Sequence, residues 1–137
     1  MKYDFGTMYE RDMDVMILNA FASDKSFLKL FTDKTKFPKT EYKVKEVYLS
    51  KSDKDGESDI TVVIEAAGIK YGILIEDKID AIDMQRQPER YTTRGEKGVK
   101  NGEYSAFCVF IVCPEKYYNN NEAAKRYEHH ILNRQSY

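Results

Sequence analysis

The sequence predicts an α/β fold, an α/β/α sandwich with a mixed central sheet of four to five strands. Three observations lead to this prediction. Residues 8–22 have apolar residues at helical spacing, and 79–98 form a second helix candidate. Polarity alternates along 42–50, and β-branched and apolar runs follow at 58–66 and 70–78. A continuously apolar run occupies 105–113. Helices that separate strands in this order must cover both faces of one sheet. The 137 residues suffice for one domain with its own core, so 1–137 is predicted to be a single domain.

The composition is that of a soluble globular protein. Apolar residues make up 42% of the chain, charged residues 33%, and the net charge is −1, so charge alone indicates no nucleic-acid partner. No apolar run reaches membrane-spanning length, and the first residues lack a signal sequence, so we expect a cytoplasmic protein without a membrane partner. Cys108 and Cys113 are spaced to point to opposite faces of one strand, which predicts reduced, unpaired thiols.

The N-terminal third predicts two helices followed by a strand. Residues 8–22 form the first helix, with acidic residues near its start that suit the helix dipole. Ser23 or Asp24 would cap a second helical segment rich in Phe and Leu. After the polar loop 33–40, residues 42–50 alternate in polarity with one wetter face, which is typical of a strand near a sheet edge.

The next two strand candidates predict a β-hairpin that brings two acidic residues together. Strands at 58–66 and 70–78 are separated by Ala67-Gly68, which suits a tight two-residue turn. Such a turn sets Asp59 directly opposite Glu76, with β-carbons about 5 Å apart. Two carboxylates at this distance repel each other unless a cation lies between them.

A divalent metal ion and a lysine would satisfy these acids. Glu76 and Lys78 share one face of their strand and Asp77 points to the other, because side chains alternate. Carboxylate oxygens select hard cations such as Mg²⁺ or Mn²⁺, and Lys78 could orient or deprotonate an attacking water or stabilise phosphorane charge. The alternative is a solvent-facing strand with ordinary salt bridges. The apolar run 73–75 argues against it, since it indicates an interior strand, where ionisable groups are costly unless paired.

Residues 79–98 are predicted to be helical, with Pro88 as a kink or a second helical start. Gln87 and Tyr91 lie one helical turn apart on one face. Beside them runs a basic stripe, which following an acidic metal site suggests contacts to a phosphate backbone rather than a merely solvated face. The stripe consists of Arg86, Arg90, Arg94 and Lys97.

The C-terminal part predicts a strand buried on both faces at 105–113, ended by Pro114, and a helix over 122–130. His129 and His130 would be adjacent surface residues of that helix, unable to bind one metal together. The chain stops at a short apolar segment that resembles the start of a strand. We therefore expect either a natural short form or a C-terminally truncated domain.

Taken together and in order, Asp59, Glu76-x-Lys78 and Gln87-x-x-x-Tyr91 resemble the motifs of the PD-(D/E)XK nuclease superfamily. The closer resemblance is to its branch with a Gln-x-x-x-Tyr helix, which includes RecB-like and lambda-exonuclease-like enzymes. The apolar strand that ends in VCPEKYY is also similar to that branch. The resemblance covers nearly the whole chain, and its strongest motifs lie within 57–117. It implies a restriction-endonuclease-like core.

The resemblance also implies residue roles. Asp59, Glu76 and the backbone carbonyl of Asp77 would bind the metal, and Lys78 would be the catalytic lysine. Gln87 and Tyr91 would position the nucleic-acid backbone or support the active site, and Glu10 on the first helix is a further candidate ligand. Two positions depart from the pattern: Ser58 replaces the proline of the family name, and Pro88 interrupts the Gln-x-x-x-Tyr segment.

We therefore predict a Mg²⁺- or Mn²⁺-dependent deoxyribonuclease that hydrolyses phosphodiester bonds by metal-activated water. DNA is favoured as substrate, and RNA remains open. One alternative is an inactive nuclease-fold module that binds nucleic acid or a protein without cutting. Another is an interaction protein whose sheet edge pairs with a second chain as a homo-oligomer.

Overall fold

The structure, a computed structural model, describes residues 10–52, 57–77, 88–120 and 122–133. It is an α/β arrangement around one mixed sheet. The helices are α1 Glu10–Ser23, α2 Lys25–Thr32, α3 Pro88–Lys100, α4 Glu115–Asn119 and α5 Glu122–Lys125. The strands are β1 Lys43–Ser52, β2 Glu57–Ala66, β3 Ile69–Asp77, β4 Ala106–Pro114 and β5 His129–Asn133.

The five described strands follow one another across the sheet in chain order. β1, β2 and β3 pair antiparallel, whereas β3, β4 and β5 pair parallel, so the predicted mixed sheet is confirmed. β1 lies at one edge of this sheet, as its alternating polarity predicts, and a bulge interrupts its pairing between Val44 and Glu46. The C-terminal ends of β3, β4 and β5 meet at one end of the sheet because these strands run in the same direction.

The β2–β3 hairpin has the predicted two-residue turn. Ala67 has φ 54° and Gly68 has φ 80°, and two successive positive φ values are characteristic of the type I′ turn, whose twist suits a hairpin. This turn fixes the register in which Asp59 pairs with Glu76. The predicted pairing of these two residues is therefore confirmed at the level of the backbone.

The helices cover both faces of the sheet. On the first face, residues of α1 and α2 pack with the sheet in one buried cluster that includes Phe21, Phe31, Ile73 and Phe110. On the second face, α3 and the region of α5 contribute to another buried cluster, with Tyr91, Tyr104, Ile111 and Ala124. Alternate residues of the same strands belong to the two clusters, as side-chain alternation requires. We name these sides the α1–α2 face and the α3 face.

The two N-terminal helices meet at a capping residue. The Asp24 carboxylate accepts a hydrogen bond of 2.9 Å from the backbone N–H of Ser26, so Asp24 is the N-cap of α2 and Ser23 belongs to the end of α1. Of the two predicted caps, Asp24 is therefore the correct one. The aromatic residues of α2 then face the sheet, where Phe31 is fully buried.

The described part of α3 begins at Pro88, and residues 78–87 lie outside the described ranges, so the prediction that Pro88 kinks a longer helix or starts a second one stays a prediction. Farther along, α3 approaches the sheet closely: a methyl group on Gly98 would collide with the Tyr104 ring, which also lies 2.8 Å from the position of a β-carbon on Gly72. Tyr104 is therefore clamped between helix and strand, and this contact fixes the height of α3 above β3.

The prediction of a helix over 122–130 is wrong at its end. α5 covers only Glu122–Lys125, and His129 and His130 belong to strand β5, where Phe110 and Ile111 are their register partners on β4. Pairing with an already buried strand outweighs the helical propensity of a short segment. The prediction that a strand forms near the end of the chain is confirmed.

The two cysteines lie as predicted. Cys108 and Cys113 are buried, reduced thiols that belong to the clusters on opposite faces of β4. Within the described ranges, no helix has the length and apolar character needed to cross a membrane.

Candidate active site

Glu76 is the centre of the candidate site. It lies one residue before the end of β3, directly after the apolar run Ile73–Ile75, and is only 1% exposed. Its register partners are Asp59 on β2 and Ile111 on β4. A carboxylate buried this deeply is costly unless hydrogen bonds or cations compensate it, so its position requires a specific reason.

The Tyr91 hydroxyl donates a hydrogen bond to Glu76 Oε1. Tyr91 is 4% exposed and lies in the first turn of α3, over the end of β3. The tyrosine of the Gln-x-x-x-Tyr segment thus contacts the glutamate of the Glu-x-Lys segment, 15 residues earlier in the chain. Two motifs that were linked in the sequence only by their order are in direct contact in the structure.

Arg94 lies over this tyrosine. Its guanidinium carbon is 5.4 Å from the centre of the Tyr91 ring, a cation–π distance, while the Tyr127 ring packs 5.9 Å away from the same ring. Tyr91 therefore has its ring held by neighbours and its hydroxyl directed at Glu76. Such support fixes the orientation of a carboxylate.

The described part of the basic stripe lies on the outer surface of α3. Arg90, Arg94 and Lys97 are all exposed. Nearby, Glu89 forms an exposed ion pair with Arg126, 3.4 Å between Oε1 and Nη2, which links α3 to the segment after α5. Exposed cations on the helix that carries Tyr91 place positive charge near the candidate site.

Several predicted site residues lie outside what the structure describes. Lys78, Arg86 and Gln87 are outside the described residues altogether. Asp59, Asp77 and Glu10 have described backbones but side chains that fall outside the description. Their proposed roles stay predictions.

The backbone alone says something about two of these acids. Asp59 is paired with Glu76, as predicted. Glu10 is the first residue of α1, whose buried residues Ile17 and Phe21 belong to the α1–α2 face, whereas Glu76 and Tyr91 meet on the α3 face. Asp59 and Glu76 are therefore register partners on adjacent strands, whereas Glu10 is the first residue of a helix that packs on the opposite face of the sheet.

Among the side chains that the structure describes, no group of three or more His, Cys, Asp or Glu comes together as a metal site. The predicted ligands are Asp59, Glu76, the backbone carbonyl of Asp77 and, as a further candidate, Glu10, so only one of the three carboxylate side chains belongs to the described part. The residue types present, carboxylate and carbonyl oxygens, match the preference of Mg²⁺ and Mn²⁺.

His130 is a residue near the site that sequence reasoning missed. It is the register partner of Ile111, which is itself the register partner of Glu76, so the three residues lie in one row across the sheet. Because 129–130 were predicted to be helical, this position of His130 was not predicted, and it follows only from the pairing of β5 with β4. The neighbouring His129 packs on the other face, with its ring 4.9 Å from that of Phe110, and burial there lowers its pKa.

Comparison of the chain with protein-family models, with curated proteins and with solved structures gives no significant match. The resemblance to the nuclease superfamily therefore stays a prediction that depends on the sequence motifs.

Proposed function

We propose that this chain is a metal-dependent nuclease that hydrolyses phosphodiester bonds, with DNA as the favoured substrate. The hydrogen bond from Tyr91 to Glu76 is the observation that supports this most strongly. A nuclease of the Gln-x-x-x-Tyr type requires the helix motif to meet the acidic strand motif.

In this proposal, Asp59, Glu76 and the backbone carbonyl of Asp77 hold Mg²⁺ or Mn²⁺. The pairing of Asp59 with Glu76 in adjacent strands supports this, because paired residues of an antiparallel ladder have β-carbons about 5 Å apart. When bound, the ion would supply positive charge for a phosphodiester oxygen and lower the pKa of a coordinated water. The burial of Glu76 fits such a role, since a cation offsets the cost of desolvating the carboxylate.

The protein groups around the ion would orient the reactants. Tyr91 holds one oxygen of Glu76, which restricts the carboxylate to one orientation. Lys78 would lie two residues beyond Glu76 and would orient or deprotonate the attacking water, or stabilise charge on the phosphoryl group. Gln87 would support the same site from the segment before α3.

The exposed basic residues of α3 would bind the substrate backbone. Arg90, Arg94 and Lys97 present charges on the helix whose first turn contacts Glu76. Arg86 would extend the stripe. Phosphate contacts of this type give affinity that is independent of sequence and falls steeply with salt.

Cleavage of linear, circular and single-stranded DNA with Mg²⁺, Mn²⁺ or EDTA tests the proposal. We expect cutting that requires the metal and that falls about 10²- to 10⁴-fold in Lys78→Ala, the range for loss of a general acid or base. Lys70→Ala is the matched control, because Lys70 is an exposed lysine of β3 beside the hairpin turn. It should cut like the wild type.

The outcomes separate the alternatives. Full activity of Lys78→Ala would refute the mechanism. DNA binding without cutting by the wild type, under every metal condition, would instead identify a nuclease-fold binding module.

A further inference from the structure

One row of residues crosses the sheet at the end where the candidate site lies. Asp59, Glu76, Ile111 and His130 are successive register partners on β2, β3, β4 and β5. Neighbouring strands are about 4.8 Å apart, so the Cα atoms of Glu76 and His130 are separated by roughly 10 Å. His130 therefore lies two strands away from Glu76 in the same row of the sheet.

The side chains of Glu76 and His130 lie on the same face. Glu76 contacts Tyr91 on the α3 face, and Ile111, buried between the two positions, belongs to the same cluster. His130 stacks on Tyr118, which packs against this cluster as well. The preceding residue, His129, packs on Phe110 of the opposite face, as alternation requires.

His130 and Tyr118 form an aromatic stack that keeps part of its surface accessible. Their ring centres are 4.3 Å apart with an angle of 31° between the planes, and both side chains are half-buried. Tyr118 comes from α4, directly after β4, so the two rings are held by a strand and by the helix that follows its neighbour. A flat, fixed and partly exposed pair of rings suits stacking with another planar group.

We propose that His130 and Tyr118 are a stacking platform for one unpaired base of a single-stranded nucleic acid, while the backbone beside that base occupies the Glu76 site. This inference rests on the proposed nuclease function and narrows its substrate class. Stacking on aromatic side chains is available to any base but requires that the base be out of a duplex. The platform therefore favours single strands, or frayed ends, over intact duplex.

Binding measured by fluorescence anisotropy tests this, with labelled single-stranded and duplex oligonucleotides of one sequence. Ca²⁺ replaces Mg²⁺, because it takes carboxylate ligands in a less rigid geometry. We expect His130→Ala and Tyr118→Ala to weaken single-strand binding about 5- to 100-fold, the range for loss of one stacked base. Duplex binding should change much less.

Matched variants isolate the stacking. His130→Phe keeps an aromatic ring and should restore most of the affinity that His130→Ala loses. His129→Phe alters the adjacent histidine on the opposite face and should bind like the wild type. An oligonucleotide with 2-aminopurine at successive positions should show quenching at one position, and that quenching should disappear in His130→Ala. Circular dichroism and urea unfolding verify that each variant is folded.

Equal losses for single strands and duplex, or equal losses in His130→Ala and His130→Phe, would overturn the platform. So would an unchanged affinity in His130→Ala, or no binding of single strands by the wild type. The nuclease proposal fails by a different result, the absence of metal-dependent cutting. Position-specific quenching that depends on His130, in a protein that does not cut, would keep the platform and reject the nuclease.

Discussion

The two faces of the sheet are built from the same strands but hold different kinds of side chain. On the α1–α2 face, the ring of Phe31 packs between those of Phe21 and Phe110, with centres 4.9 and 4.8 Å away, and none of the residues in that buried cluster is charged. On the α3 face, a buried glutamate, Glu76, receives a hydrogen bond from the hydroxyl of Tyr91. One face is a conventional hydrophobic core, and the other surrounds a polar group.

This difference indicates where stability and where function reside. Burying a carboxylate reduces the free energy of unfolding unless its partners compensate for lost hydration, and an aliphatic residue at position 76 would avoid that cost. Apolar packing therefore accounts for the cluster on the α1–α2 face, whereas the buried carboxylate of the α3 face needs polar partners such as Tyr91. We infer that changes on the first face should alter stability, and changes around Glu76 should alter activity.

The largest expected effect is on stability, at the α1–α2 face. Phe31 is fully buried, and Phe31→Ala should lower the free energy of unfolding by about 3–5 kcal/mol, because it removes transfer energy and leaves a cavity. Urea unfolding measures the loss. DNA cleavage per folded molecule should stay unchanged, since Phe31 lies across the sheet from Glu76. A specific loss of cleavage in fully folded protein would contradict the division between the faces.

The second effect is on activity, at the α3 face. Tyr91→Phe removes only the hydroxyl that orients Glu76, so cleavage should fall about 10- to 100-fold and the Mg²⁺ concentration for half-maximal rate should rise. The free energy of unfolding should fall by no more than about 1–3 kcal/mol, the cost of leaving a buried acceptor without its donor. A Mg²⁺ titration of the cleavage rate measures both changes.

Tyr104→Phe is the control for this variant. Tyr104 is also a buried tyrosine of the α3 face, but it packs on Gly72 and Gly98 rather than on the acid. Tyr104→Phe also removes one hydroxyl, but it should leave the Mg²⁺ concentration for half-maximal cleavage rate unchanged. If both variants shift the Mg²⁺ titration equally, Tyr91 has no special role in holding Glu76.

The smallest expected effect is on the pH dependence of the free energy of unfolding, at His129 on the α1–α2 face. Burial lowers the pKa of His129. The charge of Glu128, 3.6 Å away, acts in the opposite direction but does not outweigh the burial. Smaller contributions that also lower the pKa come from Lys34, His130 and Lys36. A group whose folded-state pKa is lowered contributes stability above its unfolded pKa of about 6.5, and this stability is lost as the pH falls. His129→Phe should remove that loss and keep the ring contact with Phe110.

Urea unfolding at pH 7.5 and at pH 5.5 tests this expectation. The difference in unfolding free energy between the variant and the wild type should grow in favour of the variant at the lower pH. The same difference at both values would show that His129 does not titrate in this range with a lowered pKa. DNA cleavage at pH 7.5 should be equal in both proteins, as for other changes on the α1–α2 face.

The sequence predicted the elements whose residue types and turns specify one structure. The β-branched and apolar runs of 58–66 and 70–78, together with the turn at Ala67-Gly68, predicted the observed hairpin and the pairing of Asp59 with Glu76. This succeeded because a two-residue turn fixes the register of both strands. Of the helix predicted over 79–98, the part from Pro88 onward is helical, and residues 79–87 lie outside the described ranges.

The C-terminal segment shows where local patterns fail. Residues 122–130 have a composition that favours a helix, yet His129 and His130 pair with β4. The segment is too short for its propensity to decide, and the open edge of a buried strand offers hydrogen bonds to whichever chain segment follows. The position of His130 in the row of Glu76 could not have been predicted from its neighbours in sequence.

The order of the elements up to β4, the hairpin register and the types of residue available for a metal site follow from the sequence, because they depend on side-chain periodicity and turn chemistry over a few residues. The contact of Tyr91 with Glu76 and the place of His130 in the same row and face follow only from the packing of the folded chain. The first depends on the height of α3, which the clamped Tyr104 ring fixes, and the second depends on the pairing of β5 with β4. Both are set by packing between segments distant in the chain, and neither leaves a mark in the local pattern of residues.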